Sequence, residues 1–131
     1  MMTMLKVLVI DDAVHIRRLI VRMLNRAGVT TLEANDGVEG LELVKTHQPD
    51  VITCDIAMPF MDGYEFLETV KADPDLSHIP IIIITALGQL EETIKATELG
   101  ANACITKPFS STYLLEVINA HVEQEIDTDA F

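Results

Sequence analysis

Four short apolar runs, rich in β-branched residues, each end on a polar side chain. Leu5–Ile10 ends on Asp11 and Asp12, Val51–Cys54 on Asp55, Ile81–Ile84 on Thr85, and Cys104–Thr106 on Lys107. The run after Pro80 is four isoleucines with no polar face, so it belongs to a strand covered on both sides. Helical repeats fill the gaps between runs. Ile16, Leu19, Ile20, Met23 and Leu24 follow the i, i+3, i+4, i+7, i+8 rule and predict a helix over Ala13 to Ala27, closed by Gly28. Thr30 to Ala34 reads as a short second strand. Asn35 or Asp36 can cap a helix through about Thr46, with Val38, Leu41 and Val44 inward, before Pro49 stops it. Asp62 can cap a third helix to about Lys71, carrying Phe66, Leu67 and Val70. A fourth spans about Gln89 to Leu99, ending at Gly100, and a fifth about Ser111 to Glu123. Strand and helix alternate five times with no repeat and no linker. This predicts an α/β fold: a doubly wound, five-stranded parallel sheet.

In such a sheet the carboxyl ends of the strands share one edge, and ligands bind there, where the strand order reverses. For the order 2-1-3-4-5 that crevice lies between the first and third strands, which end on Asp11, Asp12 and Asp55. Three carboxylates, a hydroxyl and an ammonium therefore converge from distant segments. That grouping does little for folding and suits a divalent cation beside a phosphoryl group.

The chain of 131 residues is 49% hydrophobic, enough for one core and too short for a comfortable second domain. Its net charge of −12 argues against nucleic acid and anionic membranes as partners and favours a protein or a cation. No secretory signal opens the sequence, and no apolar run approaches the roughly 18 residues of a membrane span. A cytoplasmic location is the expectation. Cys54 and Cys104 fall in or at the end of strands and read as small core residues. His15, His47, His78 and His121 stand at no metal-ligand spacing and read as surface groups.

Taken in order, VLVIDD, the segment Asp55-Ile-Ala-Met58-Pro59-Phe-Met-Asp62-Gly63, the strand end Thr85-Ala86 and Lys107-Pro108-Phe109 resemble the receiver domain of two-component response regulators. The resemblance spans about residues 4 to 123. It implies the flavodoxin-like fold of that family, in the order 2-1-3-4-5. It also implies a phosphorelay function: phosphoryl transfer onto Asp55 from a histidine kinase or a histidine phosphotransfer domain. The transferred group carries several negative charges, so the chemistry asks for neutralisation and positioning more than for acid or base help. Mg²⁺, or Mn²⁺, would supply part of that, held directly by Asp12, Asp55 and the backbone carbonyl of Ala57, with Asp11 acting through water. Lys107 would pair with the phosphoryl oxygens and the Thr85 hydroxyl would bond one of them. On this reading the chain is no conventional enzyme, because it catalyses only its own phosphorylation and dephosphorylation, and it signals by binding an output protein.

Each residue also has a plainer use. Asp11 and Asp12 alone could cap the first helix, Asp55 could be a turn acid, Thr85 a strand-end residue, and Lys107 a solvated lysine. Pro59 and Gly63 read as backbone devices that shape the loop after Asp55. Three positions depart from the family. Cys104 stands where receivers commonly place an aromatic switch residue, and Ala57 and Leu87 occupy the positions that tune loss of the phosphoryl group. All four arginines lie on the first helix, with Arg18, Arg22 and Arg26 on one stripe. Arg18 and Arg22 are candidates for docking an acidic partner, against the alternative of a solvated face. Residues 1–124 are expected to form the domain and 125–131 a short acidic tail. The chain reads as a stand-alone receiver or as a piece of a longer regulator. An Mg²⁺-dependent aspartyl-phosphate hydrolase is disfavoured because Ala57 cannot transfer protons, and a non-phosphorylated pseudo-receiver because the polar set is complete.

Overall fold

In the computed structural model, which describes residues 5–122, the apolar runs become one parallel sheet. Its strands are β1 (Lys6–Ile10), β2 (Thr30–Ala34), β3 (Val51–Cys54), β4 (Ile81–Thr85) and β5 (Ala103–Thr106), in the order β2-β1-β3-β4-β5. The connecting helices are α1 (Val14–Arg26), α2 (Gly37–His47), α3 (Gly63–Ala72), α4 (Leu90–Glu98) and α5 (Ser111–Asn119). Alternate residues of β1 divide the core in two. Leu8 and Ile10 meet α2 and α3 through Val44, Phe66, Leu67 and Val70, while Val7 and Val9 meet α1 and α5 through Ile20, Leu24, Leu114 and Ile118. All of β4 is buried, as its unbroken apolar run requires. Among the described residues no helix is long and apolar enough to cross a membrane.

Parallel register sets the functional edge. Ile10 lies beside Cys54, so Asp11 and Asp55 leave the sheet side by side, and the Asp55 amide donates to the Ile10 carbonyl at 3.1 Å. Thr85 pairs with Thr106, and the Lys107 amide donates to the Thr85 carbonyl at 2.9 Å. Asp36, Asp62 and Ser110 cap α2, α3 and α5, each accepting from the backbone N–H three residues on.

Some expectations change. Val38 points outward, because α2 approaches the sheet through Gly40: a Cβ there would lie 2.5 Å from Ile10 Cδ1 and 3.4 Å from the Phe66 ring. The inward face of α2 is therefore Gly37, Gly40, Leu41 and Val44, with Val38 rotated off it. Leu19 is exposed, at the lip of a groove between α1 and Phe109. Helix α5 stops at Asn119 in a turn where the His121 amide donates to Ile118, and Glu123 lies outside the described residues, as does the tail 125–131. Cys104 is only half-buried, since β5 is an edge strand, and His121 is half-buried with Nδ1 at 2.8 Å from the Val117 carbonyl.

Candidate functional site

The sheet edge brings Asp11, Asp12 and Asp55 together: one carboxylate oxygen from each lies within 4.8 Å of the others. Asp11 and Asp55 are buried and Asp12 is exposed at the mouth. Lys107 reaches across from β5, its ammonium donating to Asp11 Oδ2 at 2.8 Å and Asp55 Oδ2 at 3.0 Å. Burial works against its charge, but these two bonds and the carboxylates' fields outweigh that, so its pKa is raised. Asp55 Oδ1 accepts from the Ile56 amide at 2.7 Å, and Asp11 Oδ1 from the Ala13 amide at 3.0 Å. Ala13 is the N-cap of α1 and makes no side-chain cap bond, so neither Asp11 nor Asp12 is its N-cap. Three carboxylates facing one ammonium leave an excess of negative charge, which favours a cation. Oxygen donors of this kind fit Mg²⁺.

Arg17 completes the support, and sequence reasoning left it undistinguished on the arginine-rich helix. It is buried, donating to the Asp11 carbonyl at 2.9 Å, Asn35 Oδ1 at 2.8 Å and Glu33 Oε1 at 3.0 Å. Only its offset from the stripe of Arg18, Arg22 and Arg26 hinted at this. Gly63 locks the other side, because any Cβ there would collide with the Asp55 carbonyl oxygen and lie 2.7 Å from the Ile56 Cα. Behind Asp55, the Cys54 thiol is pushed well above its ordinary value by burial and then by Asp55, Asp11 and Asp62, so it stays protonated and bonds the Asp55 carbonyl.

The opposite flank is looser. Thr85 is buried and its hydroxyl oxygen accepts from the Leu87 amide at 3.1 Å, while Leu87 itself is exposed, as is Ala57 in the loop after Asp55. Cys104 lies beside Ile83 and packs in the same cluster as Tyr64 of α3; its thiol is raised by burial. Arg18, Arg22 and Arg26 are exposed, with Arg18 Nε 3.8 Å from Glu33. The arginine stripe thus lies on the exposed face of α1 while Arg17 is built into the site.

A doubly wound parallel sheet with an acidic, lysine-bridged crevice at its carboxyl edge is the class of module seen here, and comparison gives its family. Residues 7–119 match the response regulator receiver domain, and the chain belongs to that family. It is 35% identical over 121 residues to chemotaxis protein CheY-3 of Vibrio cholerae, covering 92% of this chain and 93% of that protein. It is 40% identical over 115 residues to the probable transcriptional regulator ycf27 of Guillardia theta, covering 88% of this chain but only 44% of that protein. The structure of Vibrio cholerae CheY4 superposes with a TM-score of 0.86 at 32% identity, covering 92% of this chain and all of that one. The flavodoxin-like sheet order is therefore the family's own. Receiver domains are two-component signalling proteins, not conventional enzymes; they generally bind Mg²⁺ at an acidic pocket and work with histidine kinases and downstream targets.

Proposed function

We propose that this receiver accepts a phosphoryl group on Asp55 from a histidine kinase or a histidine phosphotransfer domain, and signals by binding an output protein in the phosphorylated form. The observation that supports this most is the pair of hydrogen bonds from the Lys107 ammonium to Asp11 and Asp55, which holds a cation against the attacking carboxylate. A carboxylate oxygen of Asp55 attacks phosphorus in line, forming an O–P bond as the bond to the donor's nitrogen or oxygen breaks. Lys107 turns from Asp55 Oδ2 to a phosphoryl oxygen, staying tied to Asp11. The Thr85 hydroxyl, which accepts from the Leu87 amide, donates a hydrogen bond to another phosphoryl oxygen. Bound Mg²⁺ would neutralise the remaining oxygens, held by Asp12, Asp55 and the Ala57 carbonyl, with Asp11 acting through water. Ala57 and Leu87 offer no side-chain hydrogen bond to a hydrolytic water, so the residues next to the site do little to hasten loss of the group. Arg18 and Arg22 are assigned to docking the acidic donor protein, not to chemistry.

Intact mass spectrometry with acetyl phosphate tests the reading. One phosphate adduct is expected with Mg²⁺, none in chelator and none in Asp55→Asn. An adduct that survives the substitution rules out Asp55.

A further inference from the structure

Helix α4 is the least anchored element near the site. Ala96 is its single buried residue, while Leu90 is 73% and Ile94 47% exposed, so little buried area is lost when it shifts. Its contact with α3 is polar and specific: the Lys95 ammonium sits 4.2 Å above the centre of the Tyr64 ring. Tyr64 is half-buried and packs against the same core cluster as Cys104. Tyr64, Leu87, Glu91, Glu92 and Lys95 line one groove. Leu87 is the residue whose amide is held by Thr85 Oγ1, so the site and the groove share a backbone segment. Glu92 Oε2 is buried with no hydrogen-bond partner among the described residues. A buried carboxylate oxygen without a donor is a costly arrangement that a neighbouring hydroxyl can relieve. Burial, and then Glu92, Asp62 and Cys104, raise the Tyr64 phenol, keeping it a donor.

We propose that Tyr64 is the aromatic that couples the site to α4 in this chain, with two positions: under Lys95, or turned so that its hydroxyl donates to Glu92. The inference rests on the phosphoacceptor reading above. When Thr85 Oγ1 turns to the phosphoryl group, its bond to the Leu87 amide is given up. Residues 86–89 then shift, Lys95 leaves the ring, and Tyr64 turns to Glu92. Cys104 takes no part in that turn.

The chain has no tryptophan and two tyrosines, so Tyr113→Phe leaves Tyr64 as the sole emitter. Tyrosine emission and intact mass are followed together after acetyl phosphate and Mg²⁺ are added to this variant. Emission is expected to change with the time course of the adduct. In Tyr113→Phe with Lys95→Met the adduct should form to the same extent with at most half the emission change, because the first position is already weakened. Full adduct with unchanged Tyr64 emission, or an undiminished change without Lys95, would overturn the coupling. Absence of the adduct would instead overturn the phosphoacceptor reading and this inference with it, so the two failures are told apart by mass alone.

Discussion

The two flanks of the acidic crevice are built on opposite principles. On the β1–β3 side, Asp11 and Asp55 are buried, each accepts from a backbone amide, and Arg17 and Lys107 tie them to β2 and β5. On the β4–α4 side, Thr85 holds the loop by one bond to Leu87, and α4 rests on the sheet through Ala96. One flank holds charge in place with overlapping constraints; the other is held by contacts that can be exchanged singly. The lesson is physical: a buried carboxylate cannot be left loose, because losing one partner exposes it to an uncompensated desolvation cost, whereas a helix with few buried groups moves cheaply.

Glycine substitutions should show this contrast most strongly. Gly63→Ala drives a methyl into the Asp55 backbone, which cannot swing aside, and should lower unfolding free energy by about 2–4 kcal/mol in urea titrations. Gly88→Ala meets the exposed Thr106 side chain, with no backbone atom among its three nearest contacts, so it should cost less than Gly63→Ala, about 1–2 kcal/mol. Equal losses would erase the distinction between the flanks.

Lysine substitutions come next. Lys107→Met leaves two buried carboxylates without their ammonium and should cost about 2–4 kcal/mol in chelator, with Mg²⁺ recovering part of it. Lys95→Met should change melting by less than about 1 kcal/mol. The pH dependence has a definite sign. Lys107 is raised above its ordinary 10.5, so its bonds contribute fully below that value and are lost only as pH climbs through the higher folded one. A Lys107-dependent melting step between pH 7 and 9 would contradict that.

Asp12 gives a smaller effect of opposite direction. Asp12→Asn relieves repulsion at the mouth, so the metal-free protein should be as stable as wild type or more so, while Mg²⁺ should no longer raise its melting temperature. Smallest in stability is the α1 stripe, because Arg18 and Arg22 are exposed. Arg18→Glu with Arg22→Glu should leave melting nearly unchanged. Transfer from the cognate kinase should slow and lose its dependence on ionic strength, while acetyl phosphate should react as before. Equal loss with both donors would place the damage in the site.

How far the sequence could be read follows from these same residues. The apolar run of β4, the caps Asp36 and Asp62, and the polar residue at each strand end are local signals, so the alternation of elements and the set Asp11, Asp12, Asp55, Thr85 and Lys107 were accessible, while the order 2-1-3-4-5 came with the family resemblance. Val38 was placed wrongly because a hydrophobic repeat does not report how close a helix lies, and Gly40 sets that distance. Arg17 was hidden for a related reason: its partners Glu33, Asn35 and the Asp11 carbonyl come from other elements, and nothing local distinguishes it from Arg18. The contact of Tyr64 with Lys95 joins two helices 31 residues apart and has no signature in either.

The bond between Lys107 and Asp11 joins residues 96 positions apart, and that to Asp55 spans 52. Such separations mean that the cation offsetting the crevice comes from the last strand of the sheet, far along the chain from the acids it balances. A chain emerging during synthesis displays all three acids long before the lysine that offsets them, and through that interval their mutual repulsion opposes closure of β1 on β3. Docking of β5 therefore does more than add an edge strand: it is the step that discharges the crevice, and a nascent or truncated chain lacking it would carry the acids in an unbalanced, poorly ordered edge.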